Sequence, residues 1–122
     1  RPIYIDNNGG VVQIRGVTIS GGYALLGIGG GIFNRSGILT IEACIITDNF
    51  SDRGTGGGVA SWAELNIVSS TIVNNTATDA GGGIVISGFP NPANCSITRS
   101  TISNNTGGSG GGGFIIHPAL SP

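Results

Sequence analysis

Apolar and polar residues alternate along this chain in short runs, and the runs return. The segment Val12-Gln-Ile-Arg-Gly-Val-Thr-Ile-Ser-Gly-Gly22 reappears as Leu39-Thr-Ile-Glu-Ala-Cys-Ile-Ile-Thr-Asp-Asn49. It reappears again as Leu65-Asn-Ile-Val-Ser-Ser-Thr-Ile-Val-Asn-Asn75 and Cys95-Ser-Ile-Thr-Arg-Ser-Thr-Ile-Ser-Asn-Asn105. Stacked, the four copies form columns: Val12/Leu39/Leu65/Cys95, Ile14/Ile41/Ile67/Ile97, Val17/Cys44/Ser70/Ser100 and Ile19/Ile46/Ile72/Ile102. Within a copy the alternation has period two and shifts phase by one residue near its middle. That pattern predicts two short strands meeting at a corner.

Between the copies lie glycine triplets at 29–31, 56–58, 81–83 and 111–113, separated by 27, 25 and 30 residues. Each is followed by a pair of apolar residues, which predicts a third short strand. No segment carries a helical period of useful length. A repeat of this size cannot enclose a core alone, but stacked repeats can. The expected fold is all-β: a right-handed parallel β-helix, a solenoid of about four coils of three short strands, forming one domain over residues 1–122. Its core would be the isoleucine columns, with rungs about 4.8 Å apart. The triplets would occupy a tight corner, where a positive φ or close backbone approach excludes a Cβ. Asn49, Asn75 and Asn105 close the second strand in three successive coils, a register that predicts a ladder of side-chain hydrogen bonds from rung to rung.

Composition narrows the functional classes. Of 122 residues 24 are glycine, and charged residues make up only 9%. The five basic residues are all arginine and the net charge is −1, too little positive charge for a nucleic-acid-binding stripe. Gly16–Asn34 is uncharged and approaches spanning length, but its glycines and β period argue against a membrane span. Cys44 and Cys95 fall in different columns two coils apart, on the order of 9–10 Å. That exceeds the reach of a disulfide, so both are expected to be free, buried thiols. They do not have metal-site spacing, and no cofactor is indicated.

Candidate chemistry is sparse. The carboxylates Asp6, Glu42, Asp48, Asp52, Glu64 and Asp79 form no Asp-Asp pair, and nothing fixes two of them at a glycosidase separation. Asp48, Asp52 and Asp79 lie on neighbouring turns and face one another only loosely as calcium ligands. Arg53 beside Asp52 suggests an ion pair within a turn. His117, the single histidine, is expected at the surface. Trp62 and Tyr23 read as scattered rather than as the aromatic lining of a cleft. No catalytic or metal-binding set emerges, and the chain is not expected to be an enzyme.

The outer faces offer other candidates. Thr18, Thr47, Thr71 and Thr101 suggest an outer ladder of small β-branched side chains, which is a solvated strand face, an ice-binding surface or a packing surface. Its regularity is broken by Ile45 and Val73. In the third strand both parities are apolar, leaving an outward stripe from either Phe33, Ala60, Val85 and Ile115 or their neighbours. The insertion Ser87–Ala93 is a candidate cover for that stripe. N-x-Ser/Thr sequons stand at Asn34, Asn49, Asn74, Asn94 and Asn104. Asn74 and Asn104, at equivalent turn positions, are the pair expected to carry glycans, and Asn49, inside the ladder, is expected to stay bare.

The words GGGIFN (29–34), GGGVAS (56–61) and GGGIVIS (81–87), with the L-T-I and L-N-I…N-N blocks, resemble the pectate-lyase-like superfamily of right-handed β-helices. More closely they resemble the GGxI repeats of polymorphic outer-membrane-protein-type surface proteins. The likeness extends over about residues 10–117. It implies a secreted or surface-displayed structural module that presents stacked faces for adhesion or assembly. The alternative on the same scaffold is a module that binds or cleaves carbohydrate. Open strand edges at both ends predict end-to-end self-association, or neighbouring coils of a longer chain.

Overall fold

A computed structural model describes residues 2–88, 94–108 and 111–116. Fourteen strands follow in chain order among these residues: β1 (Ile3–Arg15), β2 (Thr18–Ser20), β3 (Tyr23–Leu25), β4 (Ile32–Glu42), β5 (Ile45–Thr47), β6 (Phe50–Asp52) and β7 (Val59–Ser61). They continue with β8 (Glu64–Val68), β9 (Thr71–Val73), β10 (Thr76–Ala77), β11 (Ile84–Ile86), β12 (Cys95–Thr98), β13 (Thr101–Ser103) and β14 (Phe114–Ile116). Every pairing is parallel, and each strand lies beside its counterpart one repeat away. The chain therefore winds as a parallel β-solenoid of about four turns, with no helix among the described residues.

The isoleucine columns stack in the expected register. Ile14 pairs with Ile41, Ile41 with Ile67, and Ile67 with Ile97. Ile19, Ile46, Ile72 and Ile102 form the second column in the same way. In the middle coils Ile41, Ile67, Ile46 and Ile72 are fully buried, and their counterparts in the first and last coils are half-buried and pack against them. Each core residue thus has a neighbour of its own kind above and below, except at the ends.

Two features differ from the expected coil. The third strand does not stand apart from the next repeat's first strand: in β1 and β4 the two are continuous, and both belong to one seven-stranded sheet. There is also a further short strand after the second corner, β3, β6 and β10, forming its own three-stranded sheet. Its inward column is Ala24, Ser51 and Ala77, all buried. Small side chains there carry no apolar alternation, so the strand has no periodic signature.

The corners are left-handed residues stacked in columns. Gly16, Ala43, Ser69 and Arg99 have φ of 68°, 54°, 49° and 46°, and Gly21, Asp48, Asn74 and Asn104 have 73°, 58°, 59° and 53°. One residue in the left-handed region turns the strand and shifts the alternation by one, which is the phase jump seen in the sequence. In the triplet 56–58, Gly56 has φ 69°, while a Cβ on Gly58 would lie 2.7 Å from the Gly83 carbonyl oxygen and 3.0 Å from Asn75 Nδ2. The first glycine bends the chain, and the third admits the asparagine ladder beside it.

The third strand's parity is settled by burial. Ile32, Val59 and Ile84 face the core. Ala60 and Val85 point the other way yet are also buried, because the preceding glycine turn folds back over them: a Cβ on Gly56 would lie 2.8 Å from Ala60 Cβ and 3.0 Å from Val85 Cγ1. The glycine turns themselves cover this stripe. Residues 89–93 of the insertion, the side chain of Ile115 and His117 lie outside the described residues.

Candidate functional site

Two polar ladders run up the inside of the solenoid. Asn49 Oδ1 accepts from the Gly22 backbone N–H at 2.8 Å. Asn75 Oδ1 accepts from both the backbone N–H and the Nδ2 of Asn49, at 3.1 and 3.0 Å. Asn105 Oδ1 accepts likewise from Asn75, at 2.9 and 3.1 Å. Each Nδ2 also donates to an isoleucine carbonyl of the preceding coil: Ile19, Ile46 and Ile72, at 3.0, 2.9 and 3.0 Å. Asn49 and Asn75 are fully buried. A side chain with one carbonyl and one amide serves this role because it both accepts and donates along a single axis.

The second ladder occupies the other corner. Ser70 Oγ accepts from the Cys44 backbone N–H at 3.1 Å, and Ser100 Oγ accepts from Ser70 N–H at 3.0 Å. Each hydroxyl donates to a carbonyl two residues back, Val68 at 2.9 Å and Thr98 at 2.7 Å. The Cys44 thiol takes the equivalent place and points to the Glu42 and Ile14 carbonyls at 3.3 and 3.4 Å. The sequence columns contained this set, but Val17 at its head made the column read as apolar core.

Both cysteines are free. Cys44 is buried. Cys95 is half-buried, being in the last coil, and burial pushes its thiol up to about 11.

On the outside, the aromatic residues are not scattered. Tyr4, Phe33 and Trp62, from three successive coils, form an edge-to-face row with centroids 5.5 and 5.0 Å apart. Tyr23 and Phe50 pack beside each other at 5.5 Å. Tyr23 and Phe33 line one shallow groove of about 420 Å³ with Pro2, Ala24, Leu25 and Leu26, which joins the two groups into a single flank. Tyr4 is 57% exposed and Trp62 40% exposed. Tyr23 OH donates to Asp52 Oδ2 at 2.8 Å, and that carboxylate holds the phenol's pKa above its ordinary value. Asp52 is therefore engaged by Tyr23, and the expected ion pair with Arg53 is not formed. Elsewhere on the first coil Asp6 accepts from Ser36 Oγ at 2.6 Å and from Arg35 at 3.2 Å. The Ser36 hydrogen bond, with Arg35 assisting, keeps the Asp6 carboxyl below its ordinary value against a smaller opposing effect of desolvation.

The remaining sequence candidates fall as follows. Thr18, Thr71 and Thr101 share a column with Ile45, but Thr47 stands in the neighbouring column with Ser20, Val73 and Ser103. The four threonines are thus not one ladder. Asn74, Asn94 and Asn104 are exposed. Asn34 is fully buried, and its Nδ2 donates to Ser61 Oγ and the Glu64 carbonyl, both at 3.2 Å. That placement leaves no room for a glycan on Asn34. Among the described residues no three of His, Cys, Asp and Glu gather where they could hold a metal ion, so Asp48, Asp52 and Asp79 do not converge. Among the described residues there is no helix, and so none long and apolar enough to cross a membrane.

No family model, no curated protein and no solved structure matches this chain.

Proposed function

We propose that this chain is a structural module, a rigid parallel β-helix of a secreted or cell-surface protein that holds its outer faces in register for adhesion or assembly. The finer likeness, to pectate-lyase-like helices and to GGxI-repeat surface proteins, belongs to this proposal. The observation that carries it is the continuity of the interior: isoleucine columns and an asparagine ladder pass from coil to coil. Such an interior supports stiffness and resistance to unfolding more directly than it supports chemistry. The purified chain is expected to survive prolonged exposure to a non-specific protease and to release no sugar ends from acidic or neutral polysaccharides. Cleavage of a polysaccharide that persists after repurification would overturn this reading.

A second reading, carbohydrate binding, is favoured by the aromatic flank. Sugar rings present C–H faces that stack on exposed aromatics, and the Asp52 carboxylate, hydrogen-bonded to Tyr23, lies alongside to meet hydroxyls. Trp62 is the chain's single tryptophan, so its fluorescence reports on this surface alone. Saturable quenching by an oligosaccharide, lost in Trp62→Ala and Tyr4→Ala, supports this reading. An unchanged spectrum across neutral and acidic glycan panels removes it. Glycan addition is proposed at Asn74, Asn104 and Asn94. Expression through a glycosylating secretory system is expected to add mass that Asn74→Gln and Asn104→Gln take away.

A further inference from the structure

One stretch of β1 departs from the wall of the solenoid. Asp6 pairs with Ser36 and Val11 with Ile38, so residues 7–10, Asn-Asn-Gly-Gly, stand opposite Gly37 alone. The surplus residues cannot lie in the ladder and bulge out of it. Asn7 forms the inner side of the bulge: it is half-buried, and a Cβ on Gly37 would collide with its Oδ1. Asn8 and Gly9 are exposed on the outer side. Their φ angles are 55° and 95°. Two successive positive φ values of this size belong to the central pair of a type I′ turn, the turn that Asn-Gly favours. The Asn8 backbone N–H donates to Ser36 Oγ at 2.9 Å, and a Cβ at Gly9 would have nothing within 4 Å of it. Of all the asparagines in the chain, Asn8 alone precedes a glycine.

We infer that Asn8 is a site of spontaneous modification, where the side-chain amide is exchanged for a carboxylate with water as co-reactant. Hydroxide takes the Gly9 N–H proton, the Gly9 nitrogen attacks Asn8 Cγ, and ammonia leaves, closing an imide ring. Water then opens the ring. Opening at Cγ restores the ordinary backbone with aspartate at position 8; opening at the backbone carbonyl leaves the chain running through the side chain, as isoaspartate. The sum is amide plus water giving carboxylate plus ammonium. Ring closure needs two things: ψ of residue 8 must rotate, and the next nitrogen must not be hindered by a Cβ. The bulge supplies the first, because its residues hold no place in the ladder register, and Gly9 supplies the second. Asn49 and Asn75 have neither: they are fully buried and are followed by Phe50 and Thr76. The product adds one negative charge to a chain whose net charge is −1. It does so where charge is already organised, since Ser36 Oγ, the acceptor for residue 8, donates to Asp6 Oδ1, and Arg35 donates to the same carboxylate.

The test ages the whole purified chain in mildly alkaline buffer, folded in one series and in denaturant in another. Each sample is then digested with trypsin, and the peptide ending at Arg15 is resolved by chromatography and mass spectrometry. In the folded chain Asn8 is expected to convert to a mixture of aspartate and isoaspartate ahead of every other asparagine. Its rate is expected within about tenfold of the denatured rate, because a bulge outside the ladder needs little opening. Gly9→Ala is expected to slow the conversion in both series. Asn8→Gln, whose ring would be larger, is expected to remove the signal while leaving the circular-dichroism spectrum unchanged. Three results would each overturn the inference: Asn8 intact in the folded chain while it converts in denaturant, Asn7 or a ladder asparagine converting first, or the same signal persisting in Asn8→Gln.

Discussion

Position 75 shows how much one side chain can carry. Asn75 caps the Asn49 backbone N–H, accepts from its amide, and donates to the Ile46 carbonyl, all out of contact with water. Asn75→Ala removes these partners together and leaves buried polar groups unmatched, so a loss of about 3 kcal/mol is expected in denaturant titration. Asn74, its exposed neighbour, has φ 59°, a conformation glycine adopts without strain. Asn74→Gly is therefore expected to change stability by less than about 1 kcal/mol. Cys95 makes a prediction in pH. Its thiol rises from an ordinary 9.0 to about 11 on folding because burial opposes the thiolate. The folded state thus prefers the protonated form. The stability linked to this group is fully present below pH 9 and declines as pH climbs to about 11. Alkylation of the folded chain at Cys95 should stay slow at pH 8 and accelerate toward pH 11, while the unfolded chain reacts readily at pH 8 to 9. Mass spectrometry of the labelled peptide reads both. The asparagine ladder was legible in the sequence because three equivalent positions carried the same residue. Asn34 and Ser61 were not, because their column holds Ile5 and Ile86 in the flanking coils, and a polar pair in an otherwise apolar column has no period.

At the scale of the strand, what the sequence disclosed depended on the size of the inward side chain. The strands of the blocks announce themselves through isoleucine at every second place. The strands β3, β6 and β10 do not, since their inward residues are alanine and serine and their outward ones include Tyr23 and Phe50. The aromatic row was hidden for a related reason: Phe33 pairs in register with Ala60, and Trp62, two residues further, is the ring that reaches it. Stacking in columns also makes the cost of a substitution depend on the coil. Ile67 is fully buried with isoleucine above and below, so Ile67→Ala is expected to cost about 3–5 kcal/mol. Ile97 is half-buried in the last coil, and Ile97→Ala is expected to cost about 1–2 kcal/mol. Thermal or denaturant midpoints of the two variants, compared side by side, check the ordering.

For the molecule as a whole, a solenoid is held by neighbour-to-neighbour contacts, so its stability has a profile along its axis. The middle coils contain the fully buried columns, and the outer coils are covered on one side only. Native-state hydrogen exchange is expected to show its slowest amides in β4, β5, β8 and β9, with faster exchange in β2 and in β12 and β13. Uniform protection from end to end would mean that the coils open only together, against the nearest-neighbour picture. The exposed large apolar residues follow the same axis: Tyr4, Val11, Val17, Tyr23, Leu25 and Leu26 stand in the first coil and Phe114 and Ile116 in the last, with only Ile45 and Trp62 between them among the described residues.

The asparagine ladder has a consequence for how such a chain can change over generations. Each rung meets the rung before and the rung after through the same pair of contacts, so a duplicated repeat inserted between the second and third coils would find its bonds ready-made on both sides. Gene duplication can lengthen or shorten a rod of this kind without redesigning any junction, and its reach becomes an adjustable trait, subject only to the residues that start and finish the row.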